Sequence, residues 1–136
     1  MRALLLIFGI LCASPGQAGL LVIASPQVPD AALSAEQLAD IYMLKKIFWA
    51  DKIHVVPVNR EASSPVREKF SEAIFKLSPQ ELAEYWNKLR FQGKFPPLVQ
   101  TSDQAVLGFV RSVPGAIGYV DASQMPTDVK ILMRLP

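Results

Sequence analysis

Two segments constrain the fold of this chain more than any others: Asn59–Phe70 (NREASSPVREKF) and Gly108–Val120 (GFVRSVPGAIGYV). The second reads as a helix stopped at Pro114-Gly115 that runs directly into a short buried strand, because proline cannot continue a helix and glycine readily follows one. The first reads as a strand end, a polar loop and a new helix, with Ser64 as cap and Pro65 at the first helical position. Joints this short force helices to lie against a sheet. A helix start beside serine and arginine is also a natural anion site, since unpaired backbone N–H groups and the helix dipole point at one spot.

The remaining elements fit the same plan. Leu20–Ala24 is a continuous apolar run, as expected of a strand covered on both faces. Ser34-Ala35-Glu36-Gln37 matches a capping box and predicts a helix to about Met43. Ile53–Val58 reads as a second strand containing His54, with Pro57 suggesting an edge or a bend. Val66, Phe70, Ile74 and Leu77 form the apolar stripe of the helix after Ser64. Ser78-Pro79-Gln80-Glu81 opens a further helix with Leu82, Tyr85, Trp86 and Leu89 on its stripe. Leu98-Val99 is a short strand, Ser102 caps a helix to about Ser112, and Ala116–Val120 and Val129–Leu132 complete the strands. Alternating strands and helices predict an α/β layer with a mostly parallel sheet.

Residues 1–18 read as a secretory signal peptide. Arg2 leads an apolar run, Ala3–Leu11, and Gly16-Gln17-Ala18 is a small-x-small cleavage site. The bulky Leu11 argues against a lipid anchor on Cys12, and the run is too short for a membrane span. Cys12 is the only cysteine, so a chain cut after Ala18 offers no disulfide, thiolate metal site or cysteine nucleophile. The formal charge of +2 falls to about +1 without Arg2, which gives no support to nucleic-acid binding or to a polybasic membrane surface. His54, the sole histidine, has no second histidine or cysteine with which to hold a metal, and reads as a partly buried or edge residue. No serine has an evident base and orienting group, so no catalytic residue is nominated. The tryptophans and Phe70, Phe75, Phe91 and Phe109 read as core.

With those elements placed, Leu33–Asp121 resembles the phosphate-binding periplasmic proteins of ABC transporters. The resemblance rests on LSAEQLADIYMLKKIFW before the Trp49-Ala50-Asp51 turn, on VPVNREASSPVREKF at Val56–Phe70, and most closely on FVRSVPGAIGYV at Phe109–Val120. It implies a three-layer helix/sheet/helix lobe of the type 2 periplasmic-binding fold over residues 19–136, in the periplasm. It also implies phosphate or a similar oxyanion as ligand, no metal or organic cofactor, and no enzymatic activity. The implied partners are an ABC-type permease and a second lobe, from a homodimer or another protein. Two departures accompany it. The family is usually two-lobed, whereas this chain reads as the second lobe alone. Where the family has Ser-Gly-Thr, this chain has Ser64-Pro65-Val66, and these lack the amide hydrogen and the hydroxyl of the residues they replace.

The candidate ligand residues are Arg60, Ser63, Ser64 and Arg67. Arg60 suits a bidentate grip on a tetrahedral oxyanion, the alternative being a surface arginine paired with Glu61 or a helix terminus. Ser63 and Ser64 offer hydroxyls and loop amides, or serve as a cap alone. Arg67 lies on the first helical turn and either points back toward the anion or faces solvent. Ser102 reads as a cap only. A dipole contribution of roughly 0.3–2 kcal/mol, plus a few charged hydrogen bonds of about 1.5–3 kcal/mol each, is opposed by ligand ordering and desolvation. One open lobe is therefore expected to bind near millimolar at best, which already requires about 4 kcal/mol. The rival expectation is a lobe that has lost ligand binding and acts as a periplasmic protein-interaction module.

Overall fold

The computed structural model describes residues 19–136; the expected signal peptide lies outside them. In chain order the elements are β1 (Leu20–Ala24), α1 (Ala35–Tyr42), β2 (Val56–Arg60), α2 (Pro65–Ile74), α3 (Pro79–Phe91), β3 (Leu98–Gln100), α4 (Asp103–Ser112), β4 (Ala116–Asp121) and β5 (Lys130–Leu135). A short 3-10 turn, Ala122–Gln124, separates the last two. The strands form one sheet in the order β3-β2-β4-β1-β5. β2 runs parallel to β3 and β4, whereas β1 runs antiparallel to β4 and β5. Four strands thus share a direction and β1 alone opposes them.

Each face of the sheet carries its own core. Leu20, Val22 and Ala24 pack with Leu38, Ile41 and Tyr42 of α1 and Phe70 and Ile74 of α2. Leu21 and Ile23 pack on the other face with Val106, Leu107 and Val110 of α4. All five β1 residues are buried, which is why the run reads as continuously apolar rather than alternating. The helix starts follow the sequence closely. Ser34 and Gln37 make the reciprocal capping box, and Ser64, Ser78 and Ser102 each accept from a backbone amide three residues on.

Some expectations need correction. β2 starts at Val56, so His54 lies outside it, exposed, in an isolated antiparallel bridge with Phe48. Pro57 sits in an interior strand, not at an edge. The reason is alternation: the Val56 N–H points to β4, bonding the Gly115 carbonyl, so the missing N–H of Pro57 faces the β3 side. Pairing with β3 begins only at Val58, and no ladder bond is lost there. β5 is also longer than Val129–Leu132, reaching Leu135. Phe91 is not core: it is 95% exposed. It follows Leu89 by two residues, about 200° around a helix, and so falls off the stripe that Leu89 continues.

The Trp49-Ala50-Asp51 turn and the Pro114-Gly115 turn meet in space. Trp49 is buried and its indole N–H donates to the Gly115 carbonyl at 2.9 Å. Gly115 has φ 79°, and a Cβ there would lie 2.2 Å from the His54 carbonyl oxygen, so only glycine fits.

Candidate functional site

Past Pro57 and Ile117 the ladder between β2 and β4 stops, and the two strands diverge toward their carboxyl ends. Two tyrosine hydroxyls serve the backbone groups left there. Tyr42, from α1, donates to the Val58 carbonyl at 2.8 Å and approaches that of Ile117 at 3.4 Å. Tyr119, from β4, accepts from the Arg60 N–H at 3.3 Å and donates to Asn59 Oδ1. Phe70 stacks on Tyr119 with ring centroids 3.9 Å apart and meets Tyr42 edge-on. Burial, opposed by the Arg60 amide and nearby arginines, pushes the Tyr119 hydroxyl up to about 12. Burial and then Tyr119 raise Tyr42 well above its ordinary value. Both therefore stay neutral donors at any physiological pH.

Arg60 closes the carboxyl end of β2. It is buried, and its guanidinium is held from two sides. Nε and Nη2 donate to the Glu61 carboxylate at 3.1 and 3.2 Å, and Nη1 donates to Asp103 Oδ1 at 2.5 Å. The Glu61 hydrogen bond is the main reason that Arg60 is raised above its ordinary value, and the same bond lowers Glu61. Asp103 is the first residue of α4, so this pair ties the β2 loop to a second helix start. Arg67 points back toward the loop, its Nη1 donating to the Arg60 carbonyl at 2.8 Å. Ser64 is buried and accepts from the Arg67 N–H at 3.4 Å as the cap of α2. Ser63 is exposed on the loop. Ser102 caps α4 at 3.0 Å from the Ala105 N–H, as expected.

Arg60, Ser64 and Arg67 thus gather at one spot, at the carboxyl ends of parallel strands where two helices begin, the usual ligand position in open α/β sheets. The alternative of an Arg60–Glu61 pair also holds, though the arginine is buried rather than at the surface. Asp103, Asn59, Tyr42 and Tyr119 belong to the same cluster and were not foreseen. Tyr119 lies within the motif PGAIGYV, which the resemblance did pick out; nothing local marks Asp103, 43 residues from its partner. Among the described residues, no group of three His, Cys, Asp or Glu is placed to hold a metal ion. A groove of about 540 Å³ adjoins the cluster at Arg67 and runs between α2 and α3, lined by Ser71, Phe75, Leu82 and Trp86 among others.

No protein-family model and no curated protein matches the chain. Solved structures do. The chain is similar to a phosphate ABC transporter substrate-binding protein with bound phosphate from Clostridium perfringens, at TM-score 0.69 and 23% identity over 85% of this chain and 44% of that one. It is similar to an ABC-type phosphate transport receptor from Vibrio cholerae, at TM-score 0.67 and 21% identity over 85% and 46%. It is similar also to PstS from Borrelia burgdorferi, at TM-score 0.67 and 19% identity over 85% and 47%. The chain spans less than half the length of each. The fold that it shares with them is the α/β, three-layer lobe expected from the sequence.

Proposed function

We propose that the protein is a periplasmic oxyanion binder that holds phosphate reversibly at the β2–α2 loop, with Arg60, Ser63, Ser64 and Arg67 as its ligand residues. It occupies residues 19–136 as one lobe, after export by a signal peptide over residues 1–18. The observation that carries this reading is the convergence of Arg60, Arg67 and the first turns of α2 and α4 at one sheet edge. The likeness to phosphate-binding transport proteins supports it. The carboxylates around Arg60 give the site a preference. Asp103 and Glu61 repel a fully deprotonated oxyanion, whereas one that retains a proton can donate it to a carboxylate oxygen. Hydrogen phosphate therefore binds better than sulfate. A permease of the ABC type and a second lobe, from a homodimer or another protein, are the partners this role calls for.

One observation favours a second reading, a lobe devoted to protein contacts. Arg60 is already satisfied by Glu61 and Asp103, and Pro65 removes one amide from the α2 start. Calorimetric titration with phosphate, sulfate and a neutral sugar separates the two. A heat for phosphate that Arg60→Gln abolishes, with sulfate weaker, supports the binder. Silence up to tens of millimolar, roughly 2–3 kcal/mol of binding, overturns it in favour of the second reading.

A further inference from the structure

The far end of α3 presents a different surface from the Arg60 cluster. From Tyr85 to Ser102 the chain holds Lys88, Arg90 and Lys94 and no acidic residue. All three cations are exposed, and they alternate with Phe91, 95% exposed, and Phe95, 72% exposed. Helix α3 ends at Phe91, and Gly93, with φ 76°, turns the chain between the two exposed phenyl rings. Leu98 and Val99 of edge strand β3 are also exposed. Acidic residues of α3 itself, Glu81 and Glu84, lie in its first half, and the next acid along the chain, Asp103, is engaged by Arg60. No ion pair links Lys88, Arg90 or Lys94 to a carboxylate among the described residues.

Exposed phenyl rings cost solubility unless something apolar receives them, and unpaired cations beside them select a partner of opposite charge. Aromatic side chains flanked by lysine and arginine match the boundary between anionic headgroups and acyl chains. No helix among the described residues is long and apolar enough to cross a membrane, so the match is to a surface and not to a span. We propose that the Lys88–Phe95 tip docks the protein on an anionic bilayer, with the cations among the headgroups and Phe91 and Phe95 in the interface. This attachment does not rest on the oxyanion reading, although Arg90 lines a small cavity together with Asn59 of β2 and Arg67 of α2.

The test is co-sedimentation of the full chain with vesicles of mixed phosphatidylglycerol and phosphatidylcholine, against phosphatidylcholine alone. Residues 1–18 are common to all variants, so the tip is read from differences between them. Lys88→Gln/Arg90→Gln/Lys94→Gln lowers partitioning by about fivefold per charge, on the order of 100-fold together. Phe91→Ser and Phe95→Ser lower it by about tenfold each. Salt that shortens the Debye length to about 3 Å releases the wild type. Equal sedimentation of wild type and variants, or equal binding to neutral vesicles, overturns the proposal. So does a dimer in sedimentation velocity that Phe91→Ser dissociates, which assigns the tip to a second copy. Phosphate calorimetry on Lys88→Gln/Lys94→Gln and on the phenylalanine variants, which leave Arg90 in place, keeps this outcome distinct from failure of the Arg60 site.

Discussion

The carboxyl edge of β2 and the far end of α3 both carry arginines near aromatic rings, yet they are opposite in character. At the sheet edge Arg60 is buried, braced by Glu61 and Asp103, and its backbone N–H donates to Tyr119, on which Phe70 stacks. At the α3 tip Arg90 is exposed, has no carboxylate partner and neighbours a phenyl ring in solvent. A near-neutral net charge conceals this division. Which cations are available to a partner depends on local pairing, and the chain's total charge says nothing about it.

The contrast is sharpest in stability. Phe70→Ala empties the space between Tyr42 and Tyr119 and is expected to cost about 3–5 kcal/mol in denaturant unfolding. A loss below about 1 kcal/mol breaks the claim that this stack anchors the sheet edge. Arg60→Met strands the carboxylate of Asp103 and is expected to cost about 2–3 kcal/mol, under the full cost of a buried pair because water still reaches both carboxylates. Arg90→Met, the matched change at the tip, is expected to stay within about 0.5 kcal/mol. Equal losses from the two arginines would erase the distinction between the regions.

Acid and alkali probe the same contrast. The Tyr119 hydroxyl titrates near 12 when folded and near its ordinary value of 10.0 when unfolded, so the folded state binds its proton more tightly. Its stabilising contribution is complete below pH 10 and is lost as pH rises from 10 toward 12. Phenolate absorbance should appear late for Tyr119, and Tyr119→Phe should remove that part of the alkaline loss. Glu61 behaves with the opposite sign and gives the smallest effect. Its carboxyl is lowered by Arg60, so its contribution is present above the ordinary carboxylate range and is lost as pH falls through its folded value. Glu61→Gln should flatten the acid limb slightly; an unchanged limb would mean that Asp103 alone holds Arg60.

Local signals carried most of the fold. Serine caps at residues 34, 64, 78 and 102 placed four helix starts, because a cap is a short-range hydrogen bond written in adjacent residues. The continuous apolar run of β1 revealed double coverage but not direction, since an apolar strand reads alike either way. The candidate site was legible only in part for the same reason. Arg60, Glu61, Ser64 and Arg67 lie within eight residues, whereas the remaining groups that hold Arg60, Asp103 and Tyr119, arrive from α4 and β4. Phe91, 95% exposed, lies about 200° around the helix from Leu89, so the helical period itself puts it off the apolar stripe.

The divergence of β2 from β4 has a mechanical consequence. Only Val56 and Pro57 are in register with β4, so beyond them the β2–β3 pair is joined to the rest of the sheet by side chains more than by ladder bonds. Tyr42 and Tyr119 hold that pair against β4 where the ladder ends. Amides of Val58–Arg60 and β3 should exchange with deuterium through partial openings, while those of β1 and β4 wait for global unfolding.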